Sequence, residues 1–249
     1  MKQSELNQLG KVQSMTPKRK PVMAGDHLAG DQFARPDWQD RITQGDGILA
    51  RLGAAHSAFY QGHKNLRAAT ETPDPEMTPD AHFLRTKKLG DDWLRRSGEQ
   101  ADRAMAYARE EIEAEQRALV ADLGLIESHR AGEIRALVRS LDDQGRQKVL
   151  ADAVAQRDAQ TIAAVSEAPA YLSGMTQEQA QQWRRQYELR HGADRVSRID
   201  TLKKALDVID KTMTEALVFQ ERLHPQGRVA DIEAKQKAAR EMQQRLSTF

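Results

Sequence analysis

His56 and His63 flank Tyr60 in the segment HSAFYQGH, and of all the residues in the chain they are the ones best placed to ligate a metal. On a helix that spacing is two turns, which puts both imidazoles near one face. A mononuclear site needs three or four converging ligands, at spacings such as i,i+4 or HExxH, and neither pattern occurs here. The pair therefore reads as structural, and no metal and no cofactor is expected. Glu110, Glu111, Glu113 and Glu115 crowd together in sequence, but successive helix positions diverge, so they read as a solvated face rather than an acid/base pair. Nucleophilic chemistry lacks its parts, since the chain has no cysteine and no GxSxG elbow. Phosphate-cradling loops are missing too, because the glycines of GDG at 45–47 stand outside any GxxxxGK[ST] or strand-borne GxGxxG context. No catalytic residue is predicted, and the expected role is non-enzymatic.

Concentrated charge occurs once, in TPKRKP, where Lys18, Arg19 and Lys20 lie side by side. Such a run is either a solvated linker or a contact to an acidic partner or nucleic acid. The whole chain balances 38 basic against 37 acidic residues for a net charge of +1, so no global field holds a polyanion, and DNA contact is possible but not favoured. Absence of cysteine fits assembly in a reducing compartment. No apolar run approaches 18 residues and no signal-peptide core opens the sequence, which predicts a soluble product made in the cytoplasm, with no membrane contact.

The elements that carry these residues are helices, and two heptad stretches dominate them. Within residues 193–224, Ile199, Leu206 and Met213 recur every seventh residue, and Leu202, Ile209, Ala216 and Leu223 form the alternate row. In the first stretch, from Asp91, Met105, Ile112, Leu119 and Ile126 form one row and Leu94, Ala101 and Ala108 the other, with Glu115 and Asp122 interrupting the second. At 1.5 Å per residue each helix would run about 50 Å, long enough to pair as an antiparallel hairpin. Glu99–Arg103, Glu113–Arg117, Asp200–Lys204 and Asp207–Lys211 have the favourable i,i+4 spacing and mark outward faces.

Around the hairpin the sequence divides into further segments. Residues 1–36, with Pro17, Pro21 and Pro36, show no sustained period and read as an extended N-terminal arm, with Val22, Met23, Leu28 and Phe33 as anchors for a partner. Residues 37–125 begin with a glycine-weakened helix, break at TETPDPEMTPD, and restart with Thr78 as N-cap and Pro79 at the first helical position, with Gly90 as a kink or interruption. Residues 126–192 read as a cluster of short helices, the last opened by a capping box of Thr176 and Gln179 and closed by Gly192. Residues 225–249 form a tail whose Ile232, Met242 and Leu246 are too sparse to hold a helix without a partner surface. Trp38, Trp93 and Trp183, one per segment, read as packing anchors. The expected fold is all-α: a long helical hairpin or bundle with a small cluster of short helices and an extended N-terminal arm. The expected interaction residues are Lys18, Arg19, Lys20 and Phe33 in the arm and Leu202, Leu206, Ile209 and Met213 in the seam.

Taken together, the arm, the Ala/Gln/Arg/Glu-rich helices, the turn APAYLSGMTQEQ at 168–179 and the long terminal heptad helix resemble helical structural proteins of tailed bacteriophages. That resemblance implies a virion component of the head, portal or tail region, present in several copies and bound to capsid, portal or tail subunits. It carries over no functional residue, and it leaves open an internal core, ejection or scaffolding protein. A bacterial helical adaptor is the reading from a different class.

Overall fold

The computed structural model describes residues 23–247, and every regular element among them is helical. Three long helices make the body: α3 (Gly47–Glu71), α4 (Pro79–Leu123) and α9 (Ala193–Leu223). Ahead of them come α1 (Asp26–Ala29) and α2 (Pro36–Thr43). Between α4 and α9 lie α5 (Ala131–Ser140), α6 (Asp143–Gln156), α7 (Ala159–Ser166), a 3-10 turn (Ala170–Ser173) and α8 (Gln177–His191), and α10 (Gln226–Leu246) follows. The all-α expectation is met.

Local chemistry sets the helix ends. Asp46 caps α3 by accepting the Leu49 amide, which stops the segment from Asp37 running on as one helix; the chain turns at Gly45, whose φ is 99°. Thr78 accepts the Ala81 amide and Pro79 fills the first position of α4. Both halves of the Thr176/Gln179 capping box form at the start of α8. Gly192 ends α8 with a φ of −138°, not a left-handed one, and the same residue opens α9.

α4 pairs antiparallel with both α3 and α9, so the expected hairpin is realised as two arms of a three-helix body. Gly90 does not interrupt α4, which continues for 45 residues, about 68 Å at the helical rise. The reason is tertiary: a Cβ at Gly90 would fall 2.2 Å from Gln220 Oε1, so the missing side chain gives α9 room to approach. Gly62 on α3 likewise receives the indole of Trp93, and a Cβ there would lie 2.1 Å from it.

One contiguous core runs from Leu28 to Phe219 and takes in every segment named above except the tail. The short helices close around α7, whose Ile162, Ala163, Ala164 and Val165 are fully buried. Tyr187 of α8 joins this cluster to the body, its hydroxyl within 3.3 Å of both the Leu123 and Arg157 carbonyls, which share its single hydrogen. At the opposite end, Phe83, Val229 and Ile232 form a small separate cluster that seats the foot of α10.

Candidate interaction surfaces

The α9 seam is consumed within the chain, and its phase differs from the one the sequence suggests. Leu202, Ile209 and Ala216 are fully buried as expected, but the companion row is Ala205, Thr212 and Phe219. Leu206 and Met213 are only half-buried on its flank. Packing against α3 as well as α4 turns the buried face by about one residue, toward small side chains that a hydrophobicity count ranks low. Glu115 and Asp122, which interrupt the first heptad, are used rather than tolerated. Arg195 of α9 meets Glu115 at 2.5 Å and Asp122 at 2.8 Å, and Arg198 meets Glu111 at 2.7 Å. Part of the presumed solvated face is thus an interhelical ion-pair ladder, while Glu110 and Glu113 stay exposed. Of the four predicted i,i+4 pairs, Glu113–Arg117 and Asp207–Lys211 form, whereas Glu99 pairs with Arg95 and Asp200 with Arg185.

Residues 23–36 correct the picture of a free arm. Lys18, Arg19, Lys20 and Val22 lie outside the described residues. Residues 23–36 form a strap bound to the chain's own body: Leu28 is wholly buried and Phe33 is 3% exposed. Phe33 packs edge-on to Trp38 with centroids 4.8 Å apart and against His56 at 5.4 Å, so it serves the chain's own core rather than a partner. Met23 remains exposed. Glu215 of α9 clamps the strap, accepting His27 Nδ1–H and the Leu28 amide, each at 2.9 Å. No sequence pattern flags Glu215, because its partner lies 187 residues away.

The two histidines share a helix but not a site. His56 Nε2–H donates to the His27 carbonyl at 3.0 Å, holding the strap, and its Nδ1 stands 3.8 Å from Asp31. That separation makes an ion pair only if the ring is charged. Burial lowers the His56 pKa, outweighing the His27 carbonyl and Asp31, which favours the neutral ring. His63 meets the edge of Phe219, centroids 4.6 Å apart, and burial with Arg67 nearby lowers its pKa as well. Among the described residues no group of three or more His, Asp or Glu side chains is arranged to hold a metal ion.

His224, absent from the sequence-based candidates, is the buried pivot between α9 and α10. Its Nδ1–H donates to Gln220 Oε1 at 3.3 Å, and its Nε2 lies 2.9 Å from the Thr86 hydroxyl. Gln220 passes the chain on to the Lys87 carbonyl at 3.2 Å and the Asp91 carboxylate at 3.1 Å. Burial pushes the His224 pKa down to about 4, with Lys87, Arg228 and His82 assisting and Asp91 opposing.

What remains open to other molecules is spread over helical faces. α9 presents Leu217 and Val218 outward, and the 3-10 turn presents Tyr171. Past Ile232, residues 233–247 are exposed except half-buried Gln236, with Met242 at 66% and Leu246 at 68%. No helix among the described residues is long and apolar enough to cross a membrane. No family model matches the sequence, and no curated protein and no solved structure matches it significantly.

Proposed function

We propose that this chain is a non-enzymatic structural component of a tailed-phage virion, in the head, portal or tail region, that binds neighbouring subunits through helical faces. The observation that carries the reading is α10. Beyond Ile232 its residues are exposed except half-buried Gln236, and an isolated helical stretch of under about 15 residues is marginal in water. A partner surface that covers Met242 and Leu246 would supply the missing burial, worth roughly 1.5 to 3 kcal/mol for each side chain fully covered. The seam residues Leu202 and Ile209 are not available for that purpose, which moves the partner-binding role to α10 and the outward side of α9. The style of the sequence, with charged alanine-rich helices around a thin core, supports a subunit designed to be flanked by others.

Mass spectrometry of purified particles from the phage or prophage that carries this gene tests the reading. The chain should appear in stoichiometric multiple copies in mature virions. Its absence from finished particles combined with presence in precursor heads would make it a scaffold instead, and absence from both would leave the cellular adaptor.

A further inference from the structure

The antiparallel pair of α4 and α9 has two long sides. One is covered by α3, which receives Trp93 at Gly62 and meets Phe219 through His63. The other is covered at one end, where Leu119, Val120 and Ile199 border a gap shared with Gln181 and Arg184 of α8. Past α8, no helix among the described residues lies on that side. The Arg198–Glu111 ion pair and the Gln220–Asp91 hydrogen bond fix the register, so Leu206 stands level with Ala104 and Met213 with Ser97. Leu206, Met213 and Leu217 continue the stripe of Ile199 on α9, and Leu94, Gly98 and Met105 form the facing stripe on α4. Leu94, Leu206 and Met213 touch the core yet stay half-buried, and Leu217 is 60% exposed. A Cβ built at Gly98 would meet nothing within 4 Å, so the groove is open at its floor. These are the outer members of the two heptad rows, and rows of that kind are buried by a further helix.

α10 carries a stripe of the matching kind. Ile232, Ala239, Met242 and Leu246 fall on one face; Ile232 is buried on the chain's own body and the other three are exposed. Residues 233–246 span about 21 Å and the groove from Leu206 to Leu217 about 17 Å at the helical rise. The charges complement each other. Among the described residues, exposed Asp102 and Asp210 on the two rims take part in no ion pair, and neither do exposed Lys235 and Arg240 of α10. Arg109 and Lys203 share that side but lie toward α8. The groove is out of reach of the chain's own α10. His224 beside Thr86 and Arg228 beside Asp80 show α10 heading toward the start of α4, away from Leu94 and Met105.

We propose that the outer part of α10 docks in the α4–α9 groove of a second copy of this chain. Met242 and Leu246 enter between the two apolar stripes, and Lys235 and Arg240 meet Asp102 and Asp210 on the rims. This deepens the reading of α10 as a partner-binding helix and rests on it, but not on the particle in which the copies are found.

Because the chain has no cysteine, introduced thiols report the contact without background. Full-length chains carrying Met242→Cys are mixed with differently tagged chains carrying Leu217→Cys in the groove, or Leu189→Cys on exposed α8 as a control, and mildly oxidised. Disulfide-linked mixed dimers should form severalfold faster with Leu217→Cys than with Leu189→Cys. Adding Gly98→Arg to the groove chain fills the open floor with a cation at a helix-compatible position, and should cut that rate severalfold with circular dichroism unchanged. Sedimentation velocity of the parent should show concentration-dependent dimers that truncation after Ile232 abolishes. Equal rates at the two thiols, a rate insensitive to Gly98→Arg, a parent that stays monomeric, or dimers that survive truncation would overturn the docking. The virion reading fails separately, by absence of the chain from particles.

Discussion

His224 sits in a buried hydrogen-bond chain from Thr86 to Gln220, where burial disfavours the charged imidazole. This links stability to pH. In the unfolded chain His224 titrates near its ordinary 6.5, whereas in the fold burial holds it at about 4. The unfolded state therefore binds the proton first as the solution is acidified. Stability should fall as pH drops from about 6.5 toward 4, by up to roughly 3 kcal/mol from this residue, and should then level off. Urea denaturation at a series of pH values, compared between the parent and His224→Gln, measures it; equal slopes in the two would exclude His224 as the cause. Steric demand gives a second prediction at this scale. Gly62→Ala would drive a methyl into the Trp93 indole and should cost about 1 to 3 kcal/mol, with a changed tryptophan emission spectrum.

Among the elements, α9 distinguishes residues that a heptad count treats alike. Leu202→Ala and Ile209→Ala remove fully buried side chains and should each cost about 2 to 4 kcal/mol in chemical denaturation. Leu206→Ala, on the half-buried flank, should cost less than half as much. A penalty at Leu206 equal to that at Leu202 would restore the heptad phase read from the sequence. One carboxylate clamps the strap beside its His56 bond and its buried Leu28 and Phe33. Glu215→Ala removes the acceptor of the His27 ring and leaves the Leu28 amide only its 3.2 Å bond to the Gly25 carbonyl, and should cost about 1 to 2 kcal/mol, because the site is partly open to water. Amide hydrogen exchange should accelerate across residues 26–33 and stay unchanged in α4, since the strap is the part released.

For the whole molecule, the separation between the body and the outer part of α10 makes a direct prediction. Truncation after Ile232 keeps Phe83, Val229 and Ile232 together, so the thermal midpoint should move little while helical ellipticity falls by the share of the lost helix. On the virion reading the same truncation should sharply reduce incorporation into particles. A truncated chain that incorporates normally would shift the contact to the outward side of α9, where Leu217→Glu and Val218→Glu become the informative changes.

By itself the sequence determined the helical class, the two long helices, the Thr78 and Thr176 caps and the proline break at 72–79, because each depends on periodicity or on chemistry within a few residues. It also carried the lack of motifs for nucleophilic, phosphate-loop or HExxH metal chemistry among its residues. Tertiary structure decided the rest. The buried phase of α9 follows from having two neighbours, α3 and α4, which only the packed body supplies. Leu28 and Phe33 look unanchored in sequence because their partners, Glu215 and the Gly53–His56 face of α3, are distant along the chain. Gly90 reads as a break until Gln220 is brought against it, and Glu115 reads as a defect until Arg195 and Arg198 face it. Local propensity is encoded residue by residue, whereas the worth of a glycine, a buried histidine or a misplaced carboxylate is set by what the fold places opposite it.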